Sequence, residues 1–400
     1  MNNSHKDFEK YLAQTKSSLF KLDVKSAKGC WITDTTSKKY LDLISGISVS
    51  NLGHQHPAVI EAIKSQIDNY MHVMVYGDFI QSPQVELAKL LISVLPPVFE
   101  KLFYVNSGSE AIEGAIKLAK KYTGRTEIIA FRNSYHGSTL GALSLLSDFN
   151  FRKNFLPLIP DVRILEYNNV DDLKQISSKT AAVVVEPIQT AAGIIPAEKQ
   201  FLIALANKCK QENALLIFDE IQTGLGRTGK MFAFQHYNII PDILVLAKSF
   251  GGGLPLGTFV SSNKIFECFE NSHPLYGHAT TGGGNPVACA AAIAVLNTII
   301  NDSLIDNALK INKIIIKKLS KINTIKSIRG MGLLLGIEFP SEKITRNVQL
   351  QLFEKGVITN TLLFNDKTLQ LSPPLIINDK EVQYFVDRLY EIFYQNSIKQ

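Results

Sequence analysis

The sequence predicts an α/β fold, with a large domain whose mostly parallel sheet is covered by helices on both faces. A smaller α+β C-terminal domain is joined by the N-terminal segment. Short apolar runs alternate with helical patterns between residues 101 and 262, and the runs lack a polar face. Parallel strands buried on both sides have this composition. Beyond residue 285 this alternation stops, which indicates a second unit.

Seven apolar runs are the predicted strands of the large sheet. They lie at residues 102–105, 127–131, 162–167, 181–187, 214–220, 242–248 and 257–262. In sheets of this kind, ligands bind beyond the carboxyl ends of the strands. The residues that close four of the runs are therefore the first candidates for a site: Asn106, Glu186, Asp219 and Lys248.

The segments on either side of these runs predict the second unit. An early hairpin is expected, with a turn from Asp34 to Lys38 between two alternating strands. Helical patterns at 286–296, 303–322 and 381–395 and a strand-like run at 332–339 lie near the other end. We expect residues 1–55 to form an N-terminal segment packed on the small domain, 56–295 the large domain and 296–400 the small domain.

Composition and charge exclude several classes of protein. The net charge of +6 comes from lysines interspersed with acids, without the basic blocks that bind nucleic acid. No apolar run reaches the roughly 18 residues that a membrane-spanning helix needs. The first residues lack an apolar core and arginine, so we expect a cytoplasmic protein. Four scattered cysteines without C-x-x-C spacing predict reduced thiols and no metal site.

Lys248 closes one apolar run and precedes the glycine-rich segment SFGGGLPLG. A lysine at the edge of a buried sheet is costly unless its amine reacts or pairs. A covalent bond to a carbonyl ligand would remove that cost. The same position also suits a lysine whose ammonium simply reaches solvent, so the run alone leaves both interpretations open.

Asp219 and Glu220 close another run, where a ligand's ring would lie. A carboxylate against a pyridinium nitrogen keeps that nitrogen protonated. The alternatives are an acid that caps the following helix or one that pairs with Arg227. Because Lys248 closes another strand of the same sheet, the pair of residues favours the ligand-binding interpretation.

Residues 103–122 predict a strand, a turn of small residues and a helix, with Ser107 and Glu110 in capping-box spacing. The backbone N–H groups of Gly108 and Ser109 would then face an anion at the helix N-terminus, such as a phosphate. An ordinary capped helix has the same pattern and is the more common case.

Two other patterns resemble binding motifs and lack a required part. GLGRTGKM at 224–231 fits the start of a nucleotide-binding P-loop, but Met231 stands where the motif needs a hydroxyl. His54 and His56 could form a metal pair, but no third ligand cluster accompanies them. We therefore expect neither a nucleotide triphosphatase nor a metal site.

In combination, the motifs of this chain resemble those of the class III, fold-type I aminotransferases, in particular the acetylornithine and ornithine aminotransferase branch. The similarity runs from about Leu19 to Tyr390 and includes NSGSEAIEGAIKLA, SYHGST, VVEPIQ, FDEIQTGLGRTGK, LAKSFGGGLPLG and HATTGGGNPVACAAA. The resemblance implies a pyridoxal 5'-phosphate enzyme that transfers an amino group from an amino acid or terminal amine to a keto acid or aldehyde by a ping-pong mechanism.

The resemblance also implies roles for single residues. It makes Lys248 the Schiff-base lysine and proton shuttle, and Asp219 the partner of the pyridine nitrogen. The other matches are Gly108 and Ser109 at the phosphate, Tyr135 and Ile221 on the two ring faces, Gln222 at the ring hydroxyl, His136 in SYHGST, and Glu186 as a supporting acid. Thr281 matches the residue that completes the phosphate site from the other subunit, which implies a homodimer with shared active sites.

Three substrate-facing positions depart from the branch. Ser138 and Gln370 stand where arginines are usual, and Ala191 stands where a glutamate is usual. The branch also usually has an aromatic residue where this chain has Gly282. Without those arginines, a substrate carboxylate needs another cation, for which Arg132 and Lys367 are the nearest in sequence, or the substrate presents a terminal amine far from a carboxylate.

Two other functions are compatible with the same residues. An isomerase or racemase would use Lys248 and Asp219 in the same way but would not leave the cofactor in its amine form. A catalytically silent cofactor-binding protein would keep only the fold, since fold alone does not fix function.

Overall fold

The structure is a computed structural model that describes residues 3–15, 20–75, 77–270 and 277–394. Its helices are Asn3–Tyr11, Pro57–Asn69, Ser82–Ser93, Gly108–Thr123, Leu140–Ser144, Phe149–Arg152, Lys199–Glu212, Phe234–Tyr237, Asn263–Glu270, Pro286–Asn301, Leu304–Leu319, Glu342–Glu354 and Asp379–Tyr394. Short 3-10 turns lie at Lys153–Phe155, Asp171–Gln175 and Lys248–Gly251, and a further single turn at Ser45–Ser48.

The strands are β1 Val24–Lys28, β2 Trp31–Asp34, β3 Lys39–Asp42, β4 Lys101–Val105, β5 Glu127–Phe131, β6 Val162–Leu165, β7 Thr180–Val185, β8 Ile188–Gln189, β9 Ile195–Pro196, β10 Leu215–Asp219, β11 Ile243–Leu246, β12 Gly257–Ser261, β13 Ser327–Met331, β14 Leu334–Glu338, β15 Val357–Ile358, β16 Asn360–Leu362 and β17 Asn365–Leu371. Seven of them form the largest sheet of the described residues, in the order β4-β12-β11-β10-β7-β5-β6.

This large sheet is mostly parallel and buried on both faces, as predicted. Strand β10 is parallel to β7 and β11, whereas β12 is antiparallel to both its neighbours. Alternate residues of β7 belong to different cores, because Val183 and Val185 join one apolar cluster and Ala182 and Val184 join another. The predicted α/β fold is therefore confirmed.

The carboxyl ends of β4, β7, β10 and β11 lie at the same edge of this sheet. Three predicted runs extend two residues past the observed strands, which end at Leu165, Val185 and Leu246, so β11 does not reach Lys248. The chain leaves the strand at Ala247, and Lys248 opens a 3-10 turn with a φ of 50°. The lysine therefore stands beyond the sheet edge, in a backbone conformation that is uncommon for residues other than glycine.

The N-terminal strands pair with a strand near the other end of the chain. Strands β2 and β3 form the predicted hairpin, and Asp34 accepts backbone hydrogen bonds from Thr36 and Lys38 in its turn. Strand β3 is parallel to β15, with Leu41 opposite Val357. This pairing agrees with the expected packing of residues 1–55 on the small domain, although the three-part division stays a prediction.

The C-terminal part has its own sheet, in the order β13-β14-β17-β16. The predicted boundary between residues 295 and 296 falls inside the helix Pro286–Asn301. No single helix in the described ranges has the length and apolarity to span a membrane; Pro286–Asn301 and Leu304–Leu319 reach it only together, across a bend of 66°.

Candidate active site

Asp219 is the last residue of β10 and forms a buried pair with a histidine. Its side chain is 5% exposed, and Oδ2 lies 2.7 Å from Nδ1 of His136. Since a carboxylate only accepts, His136 donates from Nδ1. Burial disfavours a charged imidazole, but the hydrogen bond and the charge of Asp219 outweigh it, and the pKa of His136 is raised. The other oxygen of Asp219 accepts the backbone N–H of Ile221 at 3.0 Å, so the carboxylate is held in one orientation.

Lys248 reaches the same edge of the sheet from the turn after β11. Its Nζ donates a hydrogen bond to Oε1 of Gln222 over 2.9 Å. Burial lowers the pKa of Lys248, and the nearby charges of Asp219 and Glu186 oppose this only in part. A lowered pKa increases the fraction of neutral amine at neutral pH, and the neutral amine is the nucleophilic form.

Glu186 follows β7 and binds the backbone of Tyr135, whose aromatic ring is exposed. Its carboxylate accepts the backbone N–H groups of Tyr135 at 3.0 Å and Thr190 at 3.3 Å. Burial raises the pKa of Glu186 to about 7. The ring of Tyr135 is 39% exposed, and its hydroxyl lies 2.9 Å from Oγ of Ser138. Glu186 therefore fixes the point from which the Tyr135 ring projects.

The predicted anion site lies at the start of the 16-residue helix that begins at Gly108. Ser107 caps this helix by accepting the N–H of Glu110 at 3.2 Å. The return bond differs from a standard capping box, because Glu110 accepts from the backbone N–H of Asn106, one residue before the cap. The N–H groups of Gly108 and Ser109, the first two helical residues, have no acceptor within the helix and are available to an anion.

Thr281 lies on an exposed loop and is not part of this cluster within one chain. Within the described ranges, no hydrogen bond joins it to Gly108 or Ser109. Its neighbour Thr280 accepts a hydrogen bond from the amide of Asn106 at 2.9 Å, which holds the loop beside the start of the helix. The sequence makes Asn106 a candidate only because it closes an apolar run, and no sequence pattern predicts its contact with this loop.

Of the two competing explanations for the acids, helix capping applies to Glu220, and pairing with Arg227 applies to neither Asp219 nor Glu220. Glu220 accepts two backbone N–H groups, at 2.6 and 2.7 Å, around the start of the helix Phe234–Tyr237. Arg227 is fully buried and donates to Asn51 and to two backbone carbonyls. Asp219 neither caps a helix nor pairs with Arg227, so its carboxylate remains directed at the site.

The P-loop and metal patterns have structural explanations. Residues 224–229 form buried turns around Arg227. Nε2 of His54 lies 2.9 Å from Oδ2 of Asp42, which accounts for that histidine. Across the described part of the chain, no group of three or more His, Cys, Asp or Glu residues is arranged to hold a metal ion.

The chain matches a known protein family over most of its length. Residues 11–393 match the model of "Aminotransferase class-III". The chain belongs to the class-III aminotransferases. It is therefore an enzyme that uses pyridoxal phosphate to transfer an amino group from an amino donor to a keto-acid acceptor.

Relatives within this aminotransferase family cover nearly the whole chain. An acetylornithine aminotransferase from Methanocaldococcus jannaschii is 40% identical over 383 residues, which cover 92% of each chain. A "[LysW]-aminoadipate semialdehyde/glutamate semialdehyde transaminase" from Sulfurisphaera tokodaii is 42% identical over 79% of this chain and 81% of its own. The ornithine aminotransferase from Toxoplasma gondii, solved with partial occupancy of PLP, aligns with a TM-score of 0.90 and 28% identity, covering 100% of this chain and 96% of its own.

The residues of this site fit pyridoxal phosphate. Nε2 of His136 is buried and lacks a hydrogen-bond partner among the described residues, next to the buried carboxylate of Asp219. A Cβ at Gly108 would lie 2.8 Å from Cδ1 of Ile221, so glycine lets the start of this helix pack closely against that side chain. The amine of Lys248 would supply the nucleophile that the aldehyde of the cofactor needs.

The three substrate-facing positions that depart from the branch have uncharged side chains or contacts of their own. Ser138 binds the Tyr135 hydroxyl, and the carbonyl oxygen of Ala191 accepts the backbone N–H of Phe364 at 3.0 Å. Gln370 is only 2% exposed, and its amide nitrogen donates to Ser372 at 3.1 Å. None of the three carries a charge that could hold a substrate carboxylate.

Arg132 and Lys367 are the cationic residues nearest in sequence to the departing positions, and neither side chain takes the place of a missing arginine. Arg132 pairs with Glu166 over 2.5 Å on an exposed surface. Lys367 lies three residues before Gln370 on β17, so their side chains point to opposite faces of the strand. Neither residue therefore supplies the positive charge that the branch carries at the positions of Ser138 and Gln370.

Proposed function

We propose that Nζ of Lys248 binds the aldehyde of pyridoxal phosphate covalently with loss of water, that the amino donor displaces it, and that the freed amine then serves as the proton shuttle of the transamination. The observation that carries this proposal is the partly buried amine with a lowered pKa, which interacts with Asp219 and Glu186 at one edge of the sheet. When bound, the cofactor supplies an electron sink for the substrate carbon. Nζ of Lys248 takes the proton from the substrate carbon that bears the amine.

The surrounding residues would hold the cofactor beside the amine of Lys248. Asp219, oriented by His136, would keep the ring nitrogen protonated. The other proposed contacts are Gly108 and Ser109 at the phosphate, Tyr135 and Ile221 on the ring faces, Gln222 at the ring hydroxyl and Glu186 behind Tyr135. The exposed ring of Tyr135 and the half-buried side chain of Ile221 are compatible with this arrangement.

The active unit that we propose is a homodimer in which Thr281 completes the phosphate site of the other subunit. Thr281 is exposed, and nearby Asn285 donates a side-chain hydrogen bond to the backbone oxygen of Met71. The segment that follows Met71 exposes apolar side chains, among them Phe79 at 54% and Ile80 at 95%. Contiguous exposed apolar residues mark protein interfaces.

Mixing two inactive variants tests the shared site. Lys248→Ala and Thr281→Asp subunits should each have low activity, but their heterodimer contains one site with both defects and one with neither. Random exchange of equal amounts should therefore restore about one quarter of the wild-type specific activity, since half of the dimers then contain one intact site. Mass spectrometry of intact dimers verifies the exchange. If exchange is complete and no activity returns, each site is built within one chain.

We also propose a cytoplasmic location. All four cysteines are free in the structure, and Cys30, Cys209 and Cys289 are buried. Unpaired buried thiols suit a reducing compartment.

The proposed substrate class is a donor whose reacting amine is terminal and distant from a carboxylate, such as a diamine or an ω-amino acid. Support comes from the uncharged side chains at Ser138, Ala191 and Gln370. A guanidinium that binds a carboxylate contributes about 1.5 to 3 kcal/mol, so its loss weakens carboxylate binding roughly 10- to 100-fold. A terminal amine does not depend on that contact.

A substrate panel tests this class. We expect kcat/KM for putrescine or a medium-chain ω-amino acid to exceed that for N-acetylornithine, and ornithine is included as a substrate with amines at both ends. Gln370→Arg serves as the matched variant, because a restored guanidinium should improve N-acetylornithine relative to putrescine. A wide preference of the wild-type protein for N-acetylornithine with 2-oxoglutarate would refute the proposal.

A further inference from the structure

A strained turn lies between β3 and the first helix of the large domain. Ser45, Gly46, Ile47 and Ser48 have consecutive φ values of 49°, 60°, 66° and 61°. A left-handed conformation is unfavourable for residues with a side chain, and for a β-branched residue such as Ile47 it is a genuine outlier. Strain of this kind persists only where the surrounding structure enforces it.

Hydrogen bonds from two directions enforce the turn. Oδ1 of buried Asp42 accepts the backbone N–H groups of Ile44 and Ser45, each at 2.9 Å. The hydroxyl of Ser45 donates to the backbone oxygen of Ser372 at 2.7 Å. The turn is thus fixed both to the end of β3 and to the residue after β17.

The last residue of the turn contacts the partner of Lys248. Ser48 is 1% exposed, and its Oγ accepts a hydrogen bond from Nε2 of Gln222 at 3.2 Å. Oε1 of the same amide accepts from Nζ of Lys248 at 2.9 Å. A lysine amine that is protonated can only donate, so the amide oxygen must face Lys248 and the amide nitrogen must face Ser48.

We propose that Ser48, held by the left-handed turn, is a positioning residue that keeps the amide oxygen of Gln222 on the amine of Lys248. Without the Ser48 hydroxyl, the amide is free to rotate, and the ammonium form loses an oriented acceptor at a site where charge is already costly. The other charged or titratable groups around this amine are Asp219, Glu186 and His136, and none belongs to the turn.

Competitive labelling of the cofactor-free full-length protein tests this role. Acetic anhydride modifies neutral amines, and the rate at Lys248 is followed by mass spectrometry over a series of pH values. In Ser48→Ala we expect labelling at neutral pH to be about three- to ten-fold faster than in the wild type, the size of one net hydrogen bond. At high pH the two rates should converge, because the amine is then neutral in both proteins.

Further variants separate positioning from loosening of the structure. Ser50→Ala, two residues further on, should label as the wild type. Ser48→Gly relaxes the strained backbone but also lacks the hydroxyl, so it should reproduce the profile of Ser48→Ala. In a Gln222→Ala background, Ser48→Ala should have no additional effect, because its influence passes through that amide.

Two results would overturn the proposal. One is a labelling rate in Ser48→Ala that rises by the same factor at every pH, since increased exposure alone produces that pattern. The other is an undiminished effect in the Gln222→Ala background. The inference rests on the proposed function for its catalytic meaning, but the labelling of Lys248 does not depend on whether this residue binds the cofactor, so the two can fail separately.

Discussion

Replacement of Lys248 by alanine is expected to lower turnover by at least about 10³-fold, because in the proposed mechanism one side chain supplies both the covalent attachment and the proton transfer. The amine lies at the sheet edge with a lowered pKa, hydrogen-bonded to Gln222 and near Asp219. Among the residues that the structure describes, no lysine other than Lys248 forms a hydrogen bond with Gln222 or Asp219. Initial rates with an amino donor and a keto acid measure the loss.

A lysine outside the cluster provides the control for this variant. Lys230 is exposed on a nearby turn and has no proposed role, so Lys230→Ala should retain normal turnover. Thermal unfolding of both variants shows whether the fold is intact. Normal turnover of Lys248→Ala would remove this residue from the mechanism.

The second large effect is expected for Asp219→Asn. Asparagine keeps the shape but removes the negative charge that would keep the ring nitrogen protonated, and it disturbs the hydrogen bond from His136. Loss of such an electrostatic partner lowers rates by roughly 10² to 10⁴-fold. We expect this loss in kcat, with cofactor still bound through the proposed phosphate turn at Gly108 and Ser109.

Asp242→Asn is the matched control for the charge. Asp242 precedes β11 at the opposite edge of the sheet, where its carboxylate accepts the backbone N–H of Leu216 at 2.7 Å. This variant removes one carboxylate from the same sheet without touching the site, so it should keep its kcat. An unchanged kcat in Asp219→Asn would contradict the proposed role of that residue.

Much of the fold was predictable because burial leaves a clear pattern in the sequence. The seven apolar runs correspond to the strands of the large sheet, and the closing residues of all but the antiparallel β12 meet at one edge. What the pattern does not contain is backbone conformation between elements. The run through Ala247 looks like continuous strand, yet the chain turns there, and Lys248 takes a positive φ.

Contacts between residues distant in sequence were also beyond prediction. His136 and Asp219 are 83 residues apart, and no local pattern indicates that they form a buried pair. Likewise, Ser48 lies 174 residues from Gln222, in a turn whose left-handed conformation is not the preference of its sequence. These contacts arise because the topology brings several loops to one sheet edge.

The burial and direction of the substrate-facing side chains could not be predicted from the sequence either. The sequence reveals that Gln370 stands where an arginine is usual, but not that its amide is buried and bound to Ser372. Because Lys367 is close to Gln370 in sequence, it is a candidate for the missing cation. The alternation of side chains on β17 directs it to the face opposite Gln370.

Reduction of the purified enzyme with borohydride, followed by peptide mapping, tests the central claim most directly. The protein should show a visible absorption band that disappears on reduction, as the cofactor becomes permanently attached. The account predicts that the attached cofactor is found on the peptide containing Lys248, and that Lys248→Ala shows no attachment. Attachment to a different lysine, or a reducible band that persists in Lys248→Ala, would contradict it.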